Sequence, residues 1–157
     1  MARDNSPISY FLVSDVDRLD MGNLGFLLAK ASQRWNELLS ERFRAHGFGE
    51  VRPSYGSVLL PLFEQDGLRM SEIAARARLS KQTMTTLVRL CERDGLVLRT
   101  RDPSDGRAFR IQLTDRAHAF KPVADEILAE LDAKVLTQLG TRRQQTLVQG
   151  LKGVIAL

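Results

Sequence analysis

The sequence predicts a mainly α fold with one small β-hairpin, and three observations carry that expectation. Apolar residues recur at intervals of three and four along most of the chain, the period of a helix with one buried face. Residues 96–101 and 108–113 instead alternate apolar and polar, the period of a half-buried strand. Between these two runs stands Asp102-Pro103-Ser104-Asp105-Gly106-Arg107, dense in residues that turn a chain. At 157 residues, 43% of them hydrophobic, the chain has the means to bury an ordinary core as a single unit.

Residues 1–20 hold Ile8, Tyr10, Phe11, Leu12, Val13 and Val16 among polar residues. That segment is too apolar for a free tail and too short to fold alone, so it is expected to pack on something else. Leu24, Leu27, Leu28, Ala31, Trp35, Leu38 and Leu39 then trace an amphipathic helix that His46 and Gly47 close. A second helix is predicted from Pro53, with Val58, Leu59, Leu62 and Phe63 on its apolar face. Pro61 inside it removes a backbone hydrogen bond at a cost of about 3 kcal/mol, which predicts a kink or an early end. Ser71 is expected to cap a short helix to about Arg76, and Ser80 a longer one carrying Met84, Leu87, Val88 and Cys91, stopped by Gly95. After the hairpin, Thr114 caps a long helix bearing Phe120, Ala124, Ile127, Leu128, Leu131, Val135 and Leu139, which Gly140 ends. Thr141 and Gln144 have capping-box spacing for a last helix with Leu147, Val148, Leu151, Val154 and Ile155.

Composition narrows the function classes. Lys and Arg number 23 against 19 Asp and Glu, a formal net charge of +4. Residues 71–116 hold ten of the basic and six of the acidic residues, so the whole surplus lies in that third of the chain. A basic region of this kind permits an acidic partner. The single cysteine, Cys91, excludes an internal disulfide and a cysteine-rich zinc site, in keeping with a reducing compartment. His46 and His118 offer little to a metal, and neither has a sequence-near Ser, Cys or Asp in a nucleophile motif, so no cofactor, metal or catalytic residue is expected. No apolar run approaches the roughly 20 residues that span a bilayer. Asp4, Asp15, Asp17 and Asp20 break the N-terminal apolar residues, against a secretory pattern, so the expectation is a soluble cytoplasmic protein with no membrane contact.

Residues 71–95 read as two helices joined by a turn of three or four residues, a helix-turn-helix whose second member can lie in the DNA major groove. At about 100° per residue, Lys81, Gln82, Thr85, Thr86 and Arg89 share one arc, with Met84, Leu87, Val88 and Cys91 opposite. Lys and Arg suit guanine or phosphate, Gln suits adenine, and Thr offers a hydroxyl with a methyl; Ser80 and Thr83, at the helix entrance, join the same candidate set. A plain solvated helix face is the competing reading. The hairpin adds Arg99, Arg101, Arg107 and Arg110, with Pro103 and Gly106 stiffening the tip. Arg107 is the residue best placed for an A·T-rich minor groove, which concentrates negative potential, and Asp105 is a candidate for orienting an arginine. An exposed hairpin whose charges are paired with Asp102 and Asp105 is the alternative.

The run LSKQTMTTLVRLCERDGLVLRTRDPSDGRAFRIQLT, residues 79–114, resembles the MarR family of winged-helix regulators. Its most distinctive part is Asp102, Pro103, Asp105 and Arg107, followed by Leu113-Thr114. The helix order agrees with that family from Leu24 to the C-terminus. The resemblance implies a winged helix-turn-helix over residues 53–113, flanked by dimerisation helices in residues 1–50 and 114–157, the whole chain forming one such unit. It implies a recognition helix near 80–94, a wing near 99–110, and repression of nearby genes relieved by small phenolic or other aromatic ligands. In the resembling family that ligand lies between the dimerisation helices and the winged domain, where Trp35, His46, Arg52 and Tyr55 are the candidates here. Two departures stand out: Arg78 occupies a turn position where the family usually has glycine, and Ala117 replaces the glycine after the wing. Either Arg78 is left-handed at a cost of roughly 1 kcal/mol, or the turn has another shape.

Dimerisation also follows from the residues. Long helices at both ends, with apolar stripes and no third layer in the sequence to cover them, are expected to pair with a second copy. A two-fold homodimer would present two recognition helices to half-sites of a pseudo-palindromic double-stranded operator about one helical turn apart. Two other readings remain open at this point: a thiol-based redox regulator using Cys91, and a ligand-binding or scaffold dimer without DNA binding.

Overall fold

The computed structural model describes residues 20–157. The apolar segment between Ile8 and Val16 lies outside them. The chain divides into two compact units, residues 1–36 and residues 37–157. Helix α1 is Leu24–Ala45. In the first unit the Asn23 side chain accepts from the Phe26 backbone N–H at 2.9 Å, satisfying one orphan donor at the helix start. Met21, Leu24, Phe26 and Leu27 are exposed there.

In the second unit a 3-10 turn, Pro53–Tyr55, leads into α2, Gly56–Glu64. The helix predicted from Pro53 thus begins as a tighter turn. Pro61 is buried inside α2, which ends three residues later, the early end that a missing backbone donor favours. Strand β1, Leu68–Arg69, runs directly into α3, Met70–Ala77. That junction overturns the cap expected at Ser71: Arg69 is the N-cap, its backbone N–H donates to the Glu72 carboxylate at 2.7 Å, and Ser71 falls within the first turn. Helix α4 is Lys81–Arg93, and its Ser80 cap accepts from the Thr83 backbone N–H at 3.1 Å, as expected.

Strands β2, Val97–Asp102, and β3, Asp105–Leu113, form the hairpin. They extend further than the alternation suggested, so the six-residue turn shrinks to Pro103 and Ser104 between the strand ends. The sheet has a third member, because β1 pairs antiparallel with β3 through Leu68 with Ile111 and Arg69 with Arg110, giving the order β1-β3-β2. A two-residue strand leaves too short a period to detect in sequence. Thr114 caps α5, Asp115–Leu139, by accepting from the Ala117 N–H at 3.3 Å. Ala117 is fully buried and the helix continues through it, as well as through Pro122. Helix α6 is Thr141–Ile155, and its N-cap is Gly140, not Thr141. Gln144 does not close a capping box, since its side-chain amide donates to the Asp132 carbonyl instead.

The core of the second unit gathers Leu39 and Phe43 from α1, Val58, Leu59 and Leu62 from α2, Ile73 from α3, Met84, Val88 and Cys91 from α4, Leu96 and Val97, Ile111 and Leu113, and Phe120, Ile127 and Leu131 from α5. Phe120 meets Phe43 edge-on at 4.8 Å and Phe48 at 5.3 Å. Arg116 lies over Phe48 at 3.9 Å and pairs with Glu50 at 2.7 Å, fastening the start of α5 to the loop after α1. Each fully buried Met, Val or Leu contributes about 1.5–3 kcal/mol relative to exposure. That burial is what holds the helix-turn-helix and hairpin as one body. Helix α6, by contrast, buries no residue. Among the described residues no helix is long and apolar enough to cross a membrane.

Candidate nucleic-acid interface

Helix α4 separates its two faces largely as its wheel predicts, except that Leu87, expected on the packing face, is only half-buried. Met84, Val88 and Cys91 are fully buried, whereas Lys81, Gln82, Thr83, Thr86 and Arg89 are exposed and Thr85 is half-buried. Ser80 is exposed at the cap, where its hydroxyl also lies 2.8 Å from that of Thr83. The Thr85 hydroxyl donates to the Lys81 carbonyl at 2.8 Å, and that of Thr86 to the Gln82 carbonyl at 3.2 Å. These bonds engage both hydroxyl protons within the helix, and the Thr85 hydroxyl also lies 3.2 Å from the Met70 sulfur. The side chains of Lys81, Gln82 and Arg89 have no hydrogen-bonding or ionic partner among the described residues. Their donors are therefore available to a ligand.

The four hairpin arginines divide by environment. Arg107 is exposed, with no side-chain partner among the described residues. Arg101 reaches only the Gly106 carbonyl within the hairpin, at 3.3 Å. Arg99 pairs with Glu92 of α4 at 3.1 Å, and Arg110 bonds the Gly67 carbonyl at 2.9 Å and Asp102 at 3.3 Å. Those last two fasten the hairpin to its support. Asp105 accepts from the Arg107 backbone N–H at 3.1 Å, so it shapes the turn that carries Arg107.

Asp102 is the residue that sequence reasoning undervalued. Its side chain is wholly buried, with one carboxylate oxygen accepting from the Ser104 N–H at 2.9 Å and hydroxyl at 2.7 Å. The other accepts from Arg69 at 2.8 Å and Arg110 at 3.3 Å. The Ser104 hydroxyl and backbone bonds, aided by Arg69 and Arg110, hold its carboxyl well below the usual carboxylate range despite burial. One residue thus ties the turn, β1 and β3 together. The Asp-Pro-Ser turn signal was legible, but the partner Arg69 lies 33 positions away and on a strand the sequence did not announce.

Three helix ends share one geometry. After α1, Gly47 N–H meets the Arg44 carbonyl and Phe48 N–H that of Phe43; after α4, Gly95 and Leu96 repeat the pattern with Glu92 and Cys91. After α3, Arg78 and Leu79 bond Ala75 and Ala74 in the same way. Gly47 and Gly95 have φ of 82° and 76°, and Arg78 stands at φ 52°, the only non-glycine with positive φ among the described residues. The turn therefore keeps its shape and bears the strain. The Arg78 guanidinium donates to the Ile155 carbonyl at 3.1 Å.

The candidate effector residues are divided between the two units. Trp35 belongs to the first unit and is half-buried, whereas His46, Arg52 and Tyr55 belong to the second. His46 Nδ1 lies 2.8 Å from the Arg42 carbonyl, and Arg52 is exposed. Tyr55 is fully buried and its hydroxyl donates to Asp94; burial first, then that bond, pushes the phenol up to about 12. Cys91 is also fully buried, and desolvation pushes its thiol up to about 12.

Comparison with known proteins accords with this geometry. Residues 53–109 match the MarR family. The chain is 41% identical over 92 residues to the HTH-type transcriptional regulator TtmR of Methylorubrum extorquens, covering 52% of this chain and 47% of that protein. It therefore spans about half the length of that curated relative. Among solved structures, it resembles the transcriptional repressor CouR bound to a 23-mer DNA duplex, with a TM-score of 0.69 and 29% identity over 88% of this chain and 99% of that one. It shares its fold with the PcaV transcriptional regulator of Streptomyces coelicolor, with a TM-score of 0.75 and 23% identity, covering 88% and 96% of the two chains. The match to the MarR family thus falls on the helix-turn-helix and hairpin, and the described residues share the winged helix-turn-helix fold of CouR, with α3 and α4 as the helix pair and the β2–β3 hairpin as the wing.

Proposed function

We propose that this protein is a DNA-binding transcriptional regulator, a repressor that occupies a pseudo-palindromic operator as a homodimer in the cytoplasm. The observation that carries the reading is the face of α4: Lys81, Gln82 and Arg89 are held outward, without partners among the described residues, by a helix whose other face buries Met84, Val88 and Cys91. A cationic and amide-bearing helix face, followed by a hairpin with an exposed Arg107 near its tip, matches a duplex in charge and hydrogen-bonding groups. The CouR structure, a repressor on DNA, supports both the partner and the direction of regulation. The apolar stripe of α6, Leu147, Val148, Leu151, Val154 and Ile155, is exposed and supports pairing with a second copy. A small aromatic effector that releases the DNA completes the reading, with Arg52 and His46 as the exposed groups of the second unit to meet its acidic oxygens.

A thiol switch at Cys91 is disfavoured by burial, because a thiol held near 12 supplies almost no thiolate near neutrality. A regulator that neutralises several phosphates must lose affinity steeply with salt. Titration of duplex DNA by fluorescence anisotropy across a salt series tests this: a steep negative slope of log K against log salt is expected, and a flat response would leave only a scaffold dimer.

A further inference from the structure

The wing carries an aromatic side chain that stands half in solvent, beyond the end of the core. Phe109 lies directly across β2–β3 from Arg101, and residues two apart on a regular strand share a face, so Phe109 and Ile111 point the same way, while the register shift after Arg101 interrupts the alternation toward Arg107. Ile111 at the inner end of that face is fully buried, with Val97 and Leu113 beyond it. One step outward the core has ended. Phe109 is 47% exposed and stacks on no other ring among the described residues; its cross-strand neighbour is the exposed Arg101, and the exposed Arg107 stands two residues away toward the tip. An apolar ring opposite one exposed arginine and two residues from another suits a polyanion with apolar walls and repels a cationic partner. The minor groove of DNA is such a surface, since deoxyribose rings line it between the phosphates and apolar wedges are known to enter it.

We infer that Phe109 is a non-ionic DNA contact, its ring resting on the deoxyribose wall of the minor groove that Arg107 enters. The inference rests on the DNA-binding reading above and adds to it a contact that contributes affinity without releasing counterions. A phosphate contact and a sugar contact differ in salt dependence, which makes the two separable.

The experiment uses the full chain and a duplex selected by the wild-type protein from random DNA, followed by anisotropy over a salt series. Phe109→Ala is expected to weaken binding about 5- to 10-fold at every salt concentration with the slope unchanged, whereas Arg107→Ala reduces the slope by about one unit. Phe109→Leu, which keeps an apolar side chain, restores most of the loss, and thermal melts of each variant establish that the fold is intact. Replacing A·T pairs beneath the wing with I·C pairs preserves the minor-groove surface while changing the major groove, so the Phe109→Ala penalty is expected to persist. Wild-type affinity in Phe109→Ala, with a steep wild-type slope, would overturn the inference and leave the DNA reading standing. A penalty abolished on the I·C duplex, or a changed slope, would likewise overturn it. A flat wild-type slope would instead sink the DNA reading itself.

Discussion

Two classes of side chain face the solvent on this surface, and their chemistry separates affinity from specificity. Arg107 stands near the end of a stiff turn with no partner among the described residues, and a guanidinium there can meet phosphate or a narrow groove whatever the base sequence. Gln82 and Thr86 are exposed on α4, Gln82 with an amide unpartnered among the described residues and Thr86 with a hydroxyl oxygen that can still accept, groups that read base edges. Arg107→Ala is therefore expected to weaken binding to most duplexes alike. Gln82→Ala or Thr86→Ala should instead relax discrimination at particular bases by about 1–3 kcal/mol. Selection from random DNA with each variant checks this, and three indistinguishable motifs with equal loss of affinity would contradict the division. Of the hairpin arginines, sequence singled out all four, but Arg99 is paired with Glu92 at the surface and Arg110 is engaged by Asp102 and the Gly67 carbonyl. Their partners come from other elements, which no local pattern reveals.

Turns and the wing carry the strain and the pH dependence. Arg78 completes the same helix ending that Gly47 and Gly95 complete, at a left-handed φ that costs a side chain roughly 1–2 kcal/mol. Arg78→Gly relieves that strain but loses the bond to Ile155 and adds freedom to the unfolded chain, so a net gain of about 0.5–1 kcal/mol is expected. A melting temperature raised by a few degrees checks it, and an unchanged or lowered one would show that the Ile155 bond outweighs the strain. Asp102 holds the wing in the opposite manner, by satisfied bonds. Its folded pKa lies below the unfolded value of about 3.9, so its contribution is fully present above that pH and is lost as acid carries the solution down through the folded value. Asp102→Asn is expected to lower the melting temperature by several degrees at pH 7, with the gap from wild type narrowing below about pH 4. Circular dichroism melts across pH measure it, and a gap independent of pH would exclude the carboxylate as the cause.

Across the whole molecule, the decisive imbalance is between buried and unburied apolar surface. Helices α2 to α5 share a closed core, yet α6 buries nothing, and Leu147, Val148, Leu151, Val154 and Ile155 all face water in the single chain. An apolar stripe of that length calls for a second surface. Leu151→Asp places a charge in its middle and is expected to shift the protein from dimer to monomer in sedimentation, with weaker DNA binding at equal subunit concentration. A dimer that survives the substitution would move the interface elsewhere.

Periodicity alone determined where the helices run, because each buries a face whose spacing is written in consecutive residues. It likewise determined the hairpin, the caps at Ser80 and Thr114, and the outward arc of α4, all products of neighbours within a few positions. Tertiary structure decided what depends on distant chain segments meeting: the third strand Leu68–Arg69, the burial of Asp102 between Arg69 and Arg110, the enclosure of Tyr55 against Asp94, and which hairpin arginines are paired. An ion pair or a buried phenol is a property of the space around a side chain, and that space is made by residues the local pattern does not contain.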